Sequence, residues 1–193
     1  MAKGRINMSS VNRKVAQAQR LRDRIDEEAQ NKFKEAKTKL LQEFDSHPVT
    51  QEIKEGPTGS NLSKTLGGYG NLFSFIGFNE GQDPTTIVRE FLSSFIKLKK
   101  TSTKGSLNVN YSVTMPTMKD FGFAVMPWEG GKSWVEGVEI GISGFNYYMS
   151  KASAVSRAGV GIQIDNQLRS RGSSAGIEYM SQILKNFKKE ITK

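Results

Sequence analysis

An α+β fold, an antiparallel sheet flanked by helices behind a long N-terminal amphipathic helix, is predicted by three features of this sequence. Apolar residues recur in steps of three and four from Val11 to Phe44 without glycine or proline, which is the period of one helix face. Strict alternation follows, with Leu107, Val109, Tyr111, Val113 and Met115 interleaved by Ser106, Asn108, Asn110, Ser112 and Thr114, the period of a half-buried strand. A helical face returns in Ile177, Met180, Ile183, Leu184, Phe187 and Ile191. Strands grouped between helices, with short turns, favour an antiparallel sheet with helices on one side.

Ser9 and Ser10 are suited to cap a first helix beginning at Val11. Its stripe passes through Val15, Ala18, Leu21 or Arg22, Ile25, Ala29, Phe33, Ala36, Leu40 and Phe44, roughly 50 Å at 1.5 Å per residue. Phe33, Leu40, Leu41 and Phe44 make the C-terminal half the part expected to dock on the core. The N-terminal half is expected to project, with an apolar edge that needs a partner. Pro48 ends the helix, and His47 before it is expected to pack or cap there.

Residues 52–64 (EIKEGPTGSNLSK) read as a polar loop. TLGGYGNLFSFIGF, at 65–78, reads as a glycine turn feeding an aromatic strand or extended segment. Its Leu72, Phe73, Phe75, Ile76 and Phe78 are more than one buried strand face takes, which asks what covers the second face. Asp83 and Pro84 open a helix as cap and first residue. Ile87, Val88, Phe91, Leu92, Phe95, Ile96 and Leu98 form its apolar face, and Lys97, Lys99, Lys100 and Lys104 suit its C-terminal end.

Pro116 and Thr117 break the alternating strand, and PWEGGKS (127–133) reads as a hairpin loop. SWVEGVEIGISGF (133–145) reads as a second strand through Val138, Ile140 and Ile142, and residues 159–168 as a third. Ser173 or Ser174 is expected to cap the last helix. The organisation is a basic helical arm, 1–44, and a single α+β domain, 45–193, ending in that helix. No internal repeat is present.

Composition narrows function by exclusion. Hydrophobic residues are 36% of the 193, enough for a core. There is no cysteine, so disulfides, thiolate metal sites and thiol catalysis are excluded, as suits a reducing cytoplasm. No apolar run is long enough to span a membrane, and the basic start lacks the apolar stretch of a secretory signal. The net charge of +9 is concentrated at the ends. Arg13, Lys14, Arg20, Arg22 and Arg24 form a basic arm, and Lys185, Lys188, Lys189 and Lys193 a basic tail. Such ends suit phosphates or acidic protein surfaces, or are simply solvated.

The glycine-rich stretch fails as a phosphate loop. A Walker loop requires a lysine after its last glycine, and none follows Gly70. A dinucleotide fingerprint requires a third glycine where Phe73 stands. His47 is the sole histidine, so histidine-pair metal sites are excluded within one chain. No G-x-S-x-G elbow is present. Glu136 and Glu139, three apart on a strand, are expected on opposite sheet faces and so do not cooperate. The reading is of a chain that is not an enzyme, with no catalytic, cofactor-binding or metal-binding residues. Arg20, Arg22 and Arg24 are expected on different helix faces, leaving DNA contact non-specific and secondary.

Interface residues are the remaining candidates. Gly68, Tyr69, Gly70, Phe73 and Phe75 form one set, anchoring a turn to core or neighbour. Arg157, Arg169 and Arg171, in a second glycine-bearing stretch at 154–179, form another. They are either solvated on a surface hairpin or paired with a neighbour's carboxylates, such as Glu55, Glu80 or Asp83.

HPVT (47–50) after a long helix, GGYGNLFSFIGF (67–78), and SRAGVGIQIDNQLRS (156–170) before a short amphipathic helix together resemble neck and tail-completion proteins of tailed bacteriophages. The resemblance covers about residues 44–190. It implies an α+β structural virion protein, a head–tail connector or tail terminator, whose sheets and arms meet those of neighbours. It further implies a closed homo-oligomeric ring, a hexamer or dodecamer, touching portal and neck or tail-tube and sheath proteins. The readings from composition and motifs, assembly in the host cytoplasm, non-specific DNA contact at most, no cofactor and no membrane, stand beside the resemblance. The rivals are a nucleic-acid-associated basic accessory protein and an assembly chaperone absent from the finished particle.

Overall fold

The long apolar stripe becomes one unbroken helix, α1, Met8–Ser46, roughly 58 Å long at 1.5 Å per residue. The computed structural model describes residues 8–65, 71–102, 109–127, 131–140 and 177–192. Ala36, Leu40 and Phe44, successive residues of the stripe, are buried in the core, with Phe33 and Leu41 packed against it. Toward the N-terminus the stripe comes into the open, with Val15 62% exposed and Leu21, beside it, 57%.

His47 turns the chain out of α1 and into α2, Pro48–Lys54. Its Nδ1 accepts a hydrogen bond from the Val49 N–H at 3.2 Å, while Pro48 occupies a position where no backbone donor is needed. The expectation that His47 packs or caps is met on both counts.

LFSFI, expected as strand, is a single helical turn, α3, Leu72–Ile76. Asn71 starts it by accepting from the Ser74 N–H at 2.9 Å, and Gly77, with φ +81°, ends it. The Phe78 N–H reaches back to the Phe73 carbonyl at 3.2 Å, and the Phe73 and Phe78 ring centroids lie 5.5 Å apart. That is a left-handed helix stop with its accompanying apolar contact. Leu72, Phe73, Phe75 and Ile76 are all buried. Tertiary burial on every side, not helical propensity, sustains a turn this short. The second face of the stretch is therefore covered within the chain's own core.

The loop before α3 is closed by buried side chains acting on backbone. The Asn71 Nδ2 donates to the carbonyls of Gly56, Pro57 and Gly59 at 2.8–3.0 Å. Glu52, fully buried, accepts from the Leu72 N–H at 2.7 Å and the Ser63 N–H at 2.8 Å. Gly59 sits so close to Glu55 that an added Cβ would lie 2.7 Å from the Glu55 Cβ.

Asp83 caps α4, Pro84–Phe95, as its sequence indicates, with Oδ1 accepting from the N–H groups of Thr85 and Thr86. Burial opposes ionisation of this carboxyl, but its hydrogen bonds from both threonines outweigh that and hold it below its ordinary value. The lysines after Phe95 do not finish the helix. Ile96 turns extended, and Lys97–Ser102 is strand β1. It pairs antiparallel with β2, Val109–Thr114, in the register Lys97↔Thr114 to Ser102↔Val109.

A six-residue 3-10 turn, Met118–Phe123, follows β2. The flanks of the expected PWEGGKS hairpin do pair, through an isolated Val125↔Ser133 bridge. SWVEGVEI, expected as strand, is instead helix α5, Trp134–Ile140. Trp134, Val135 and Val138 are buried while Ile140 is 68% exposed, so the helical spacing of the first three outweighs the alternation of the last two. Helix α6, Met180–Thr192, runs antiparallel to α1, with Asn186 against Glu43 and Glu190 against Lys39. It begins at Met180 rather than beyond Ser173 or Ser174, and Ile177 precedes it. The expected third strand, 159–168, Ile142 and both serines lie outside the described residues.

Replacing Asn71 by alanine removes the cap and three donated bonds at once, and should cost about 2–3 kcal/mol. Asn71→Ser, which keeps a capping oxygen, should cost less. Asn71→Asp sets a carboxylate against three carbonyls and should cost at least as much as alanine. Urea unfolding of the three variants checks this order, and an alanine variant as stable as wild type would contradict it.

Candidate functional site

One cluster of polar side chains meets where α1, α2, α5 and α6 join. Tyr179, fully buried, stacks on Phe44 at 6.2 Å and lies 4.7 Å from the His47 ring and 6.4 Å from Trp134. Its hydroxyl shares a 2.7 Å hydrogen bond with Thr50 Oγ1, also buried. Burial raises the phenol well above its usual range, so it remains protonated. Glu139 of α5 accepts from the Tyr179 N–H at 3.1 Å, the Ser181 N–H at 3.3 Å and the Ser181 hydroxyl. A carboxylate from one helix thus caps the N-terminus of another, where the helix dipole favours negative charge.

Glu136 is exposed, whereas Glu139 is turned inward to this cap. The expectation that a strand sets them on opposite faces fails, since three apart on helix α5 they are near neighbours; what distinguishes them is that Glu139 is engaged at the start of α6. The junction holds an acid, an imidazole and a phenol, yet each is occupied in structure. Glu139 caps, His47 Nδ1 accepts from Val49, and the tyrosine is sealed from solvent. Among the described residues, no three histidine, aspartate or glutamate side chains gather as metal ligands.

A second polar cluster sits farther along α1. Asp26 accepts from the Lys100 ammonium and the Tyr111 hydroxyl, both on the hairpin. These two hydrogen bonds, from Lys100 first, hold the Asp26 carboxyl below the usual carboxylate range. Burial and the adjacent carboxylate push the Tyr111 phenol up to about 12, so it stays a donor. The hairpin is thereby fastened to α1 well into the predicted arm. Nothing in sequence marks this contact, because Asp26 and Tyr111 are 85 positions apart; only the alternation that turns Tyr111 to the buried side hinted at it.

The predicted basic arm is exposed at Lys14, Arg20 and Arg24, and Arg22 is half-buried. Arg20 and Arg24 are four apart on one continuous helix and so share a face, which corrects the expectation that Arg20, Arg22 and Arg24 all diverge. Arg22 alone turns away from them. The Arg13 side chain lies outside the described residues. So do Gly68, Tyr69, Gly70, Arg157, Arg169 and Arg171. Phe73 and Phe75 are 1% and 4% exposed; their rings are covered by the chain itself and offer no surface to a neighbour. Asp83, considered as a neighbour's partner, is spent on capping α4.

Among the described residues, large exposed apolar side chains fall elsewhere, at Val15 and Leu21 on α1, Leu62 in the loop before α3, Ile87 on α4, Phe123 and Val125, and Ile140 on α5. No described helix is long and apolar enough to cross a membrane. Comparison with known protein families, curated proteins and solved structures finds no match to this chain.

Burial lowers the His47 pKa, and the nearby Glu139 charge only partly offsets this. The unfolded chain then takes up the proton first as pH falls below about 6.5. Stability should be level above about pH 7.5 and decline as pH drops through the unfolded value toward the lower folded one. Protonation also removes the lone pair that caps Val49. His47→Asn keeps a capping oxygen without titrating, so its unfolding free energy should lose this dependence between pH 7.5 and 5. An unchanged slope in that variant would refute the assignment.

Proposed function

We propose that this chain is a structural protein of a tailed-phage virion, one subunit of a ring in the neck or at the tail end that joins head to tail. The observation that carries the reading is how the residues of the resemblance are used. HPVT forms the His47 cap and start of α2, and NLFSFIGF forms the Asn71-capped, Gly77-terminated turn of α3. Both stretches are committed to shape, and neither presents a reactive group. Exposed Val15 and Leu21 on a long helix beside Lys14, Arg20 and Arg24 suit docking on a neighbouring protein with acidic and apolar surface.

In this reading the chain assembles in the host cytoplasm, contacts portal and neck or tail-tube and sheath proteins, and remains in the virion. One alternative is favoured by a specific feature: the shared face of Arg20 and Arg24 suits a nucleic-acid-associated accessory protein.

Mass spectrometry of purified virions, with localisation in a particle map, tests the proposal. The chain is expected in finished particles as a ring at the neck or tail end. Its absence would make it an assembly chaperone. A free monomer that binds duplex DNA tightly, with a steep loss of affinity as salt rises, would favour the nucleic-acid reading instead.

A further inference from the structure

Most of the stability of a helix in a protein comes from packing of its apolar face rather than from its own propensity. The core supplies that packing to α1 at Ala36, Leu40 and Phe44, whereas Val15 and Leu21 are exposed. Between these regions Arg22, Ile25, Asp26, Ala29 and Phe33 are half-buried on one side of the helix. Among them Asp26 accepts from Lys100 of β1 and Tyr111 of β2, which are cross-strand partners in the hairpin register.

A second tie lies farther along α1. Lys37 Nζ donates to the Ile96 carbonyl at 3.1 Å, where α4 passes into β1, and lies 5.8 Å from the Phe33 ring centroid. Asp26 and Lys37 are separated by about 16 Å of helix. Ile96 and Lys100 are separated by about 13 Å of extended chain. The two spans match, so β1 runs back along α1 toward its N-terminus. The base of the hairpin is held by α4, whose Val88 and Leu92 are buried together with Ile96.

We propose that the hairpin is a strap that holds the N-terminal half of α1 as a rigid rod, latched at Asp26. With the latch closed, the arm is a stiff extension of the core helix. With it open, the arm frays back toward Phe33. The latch is placed to open without disturbing the core, since the Lys100 and Asp26 side chains keep exposures of 41% and 25% and stand outside the buried cluster. The inference rests on these contacts alone and holds whatever partner the arm meets.

Hydrogen exchange on paired variants tests it. Asp26→Ala removes the acceptor while introducing a better helix former, so helix propensity and the latch predict opposite signs. Amides of 18–30 should exchange about tenfold faster, the scale of a lost hydrogen bond to a charged group. Those of 97–102 and 109–114 should also quicken, while 36–46 and 84–95 keep the wild-type rate. Lys100→Met combined with Tyr111→Phe removes both donors without altering α1 and should give the same pattern. An arm that exchanges at the wild-type rate or slower in either variant would overturn the proposal. Equal acceleration in every segment would also overturn it, by making Asp26 a contributor to global stability rather than a latch. Acceleration confined to the two strands would do the same, because the hairpin would then lean on the arm without holding it.

Discussion

The packing of Tyr179 between α1, α2 and α5 is the contact on which the rest of this structure depends. The chain approaches α6 with a large aromatic side chain that has to be buried and a hydroxyl that has to be bonded. Phe44, His47 and Trp134 supply the first requirement, and Thr50 the second. A buried phenol left unpaired would be costly, so the position of α2 is fixed by the helix that follows it last in sequence. Glu139 completes the joint by capping the same helix from α5. Four helices from distant parts of the chain are thereby held by one residue and its immediate partners.

The same device recurs on a smaller scale around α3. Buried Glu52 and Asn71 spend their polar atoms on backbone groups of the loop, so a stretch too short to be helical alone is held in shape by side chains. Residues whose types suggest chemistry, an acid, an amide, an imidazole and a phenol, are each used to close a hydrogen bond. The structural role proposed above would use such a fixed framework and leave recognition to the exposed half of α1 and the hairpin fastened to it through Asp26.

How much of this was legible in sequence depended on element length. Helix α1, α4 and α6 each repeat their apolar period over several turns, and Asp83–Pro84 announces its helix outright. β2 shows clean alternation. The failures are the short elements. Five residues of α3 and seven of α5 complete too few turns to display a helical period, and phenylalanine and isoleucine in them favour strand. β1 was hidden because no glycine or proline separates Phe95 from Lys97, so its lysines read as a helix end. The candidate site was less legible still. Glu139 with Ser181 and Asp26 with Tyr111 are contacts across long separations, 42 and 85 positions, and only folding brings them together. Phe73 and Phe75 stood out for being large and apolar, which marks burial as readily as it marks an interface.

If Tyr179 is the joint, α2, α5 and α6 should open as one cooperative unit. Hydrogen exchange on the wild type and on Tyr179→Ala tests this most directly, with protection followed separately at 48–54, 134–140 and 180–192. The account predicts that all three segments lose protection together in the variant, while the Asp83-capped helix at 84–95 retains more of its own. Loss confined to 180–192, with 48–54 and 134–140 still protected as in the wild type, would contradict it.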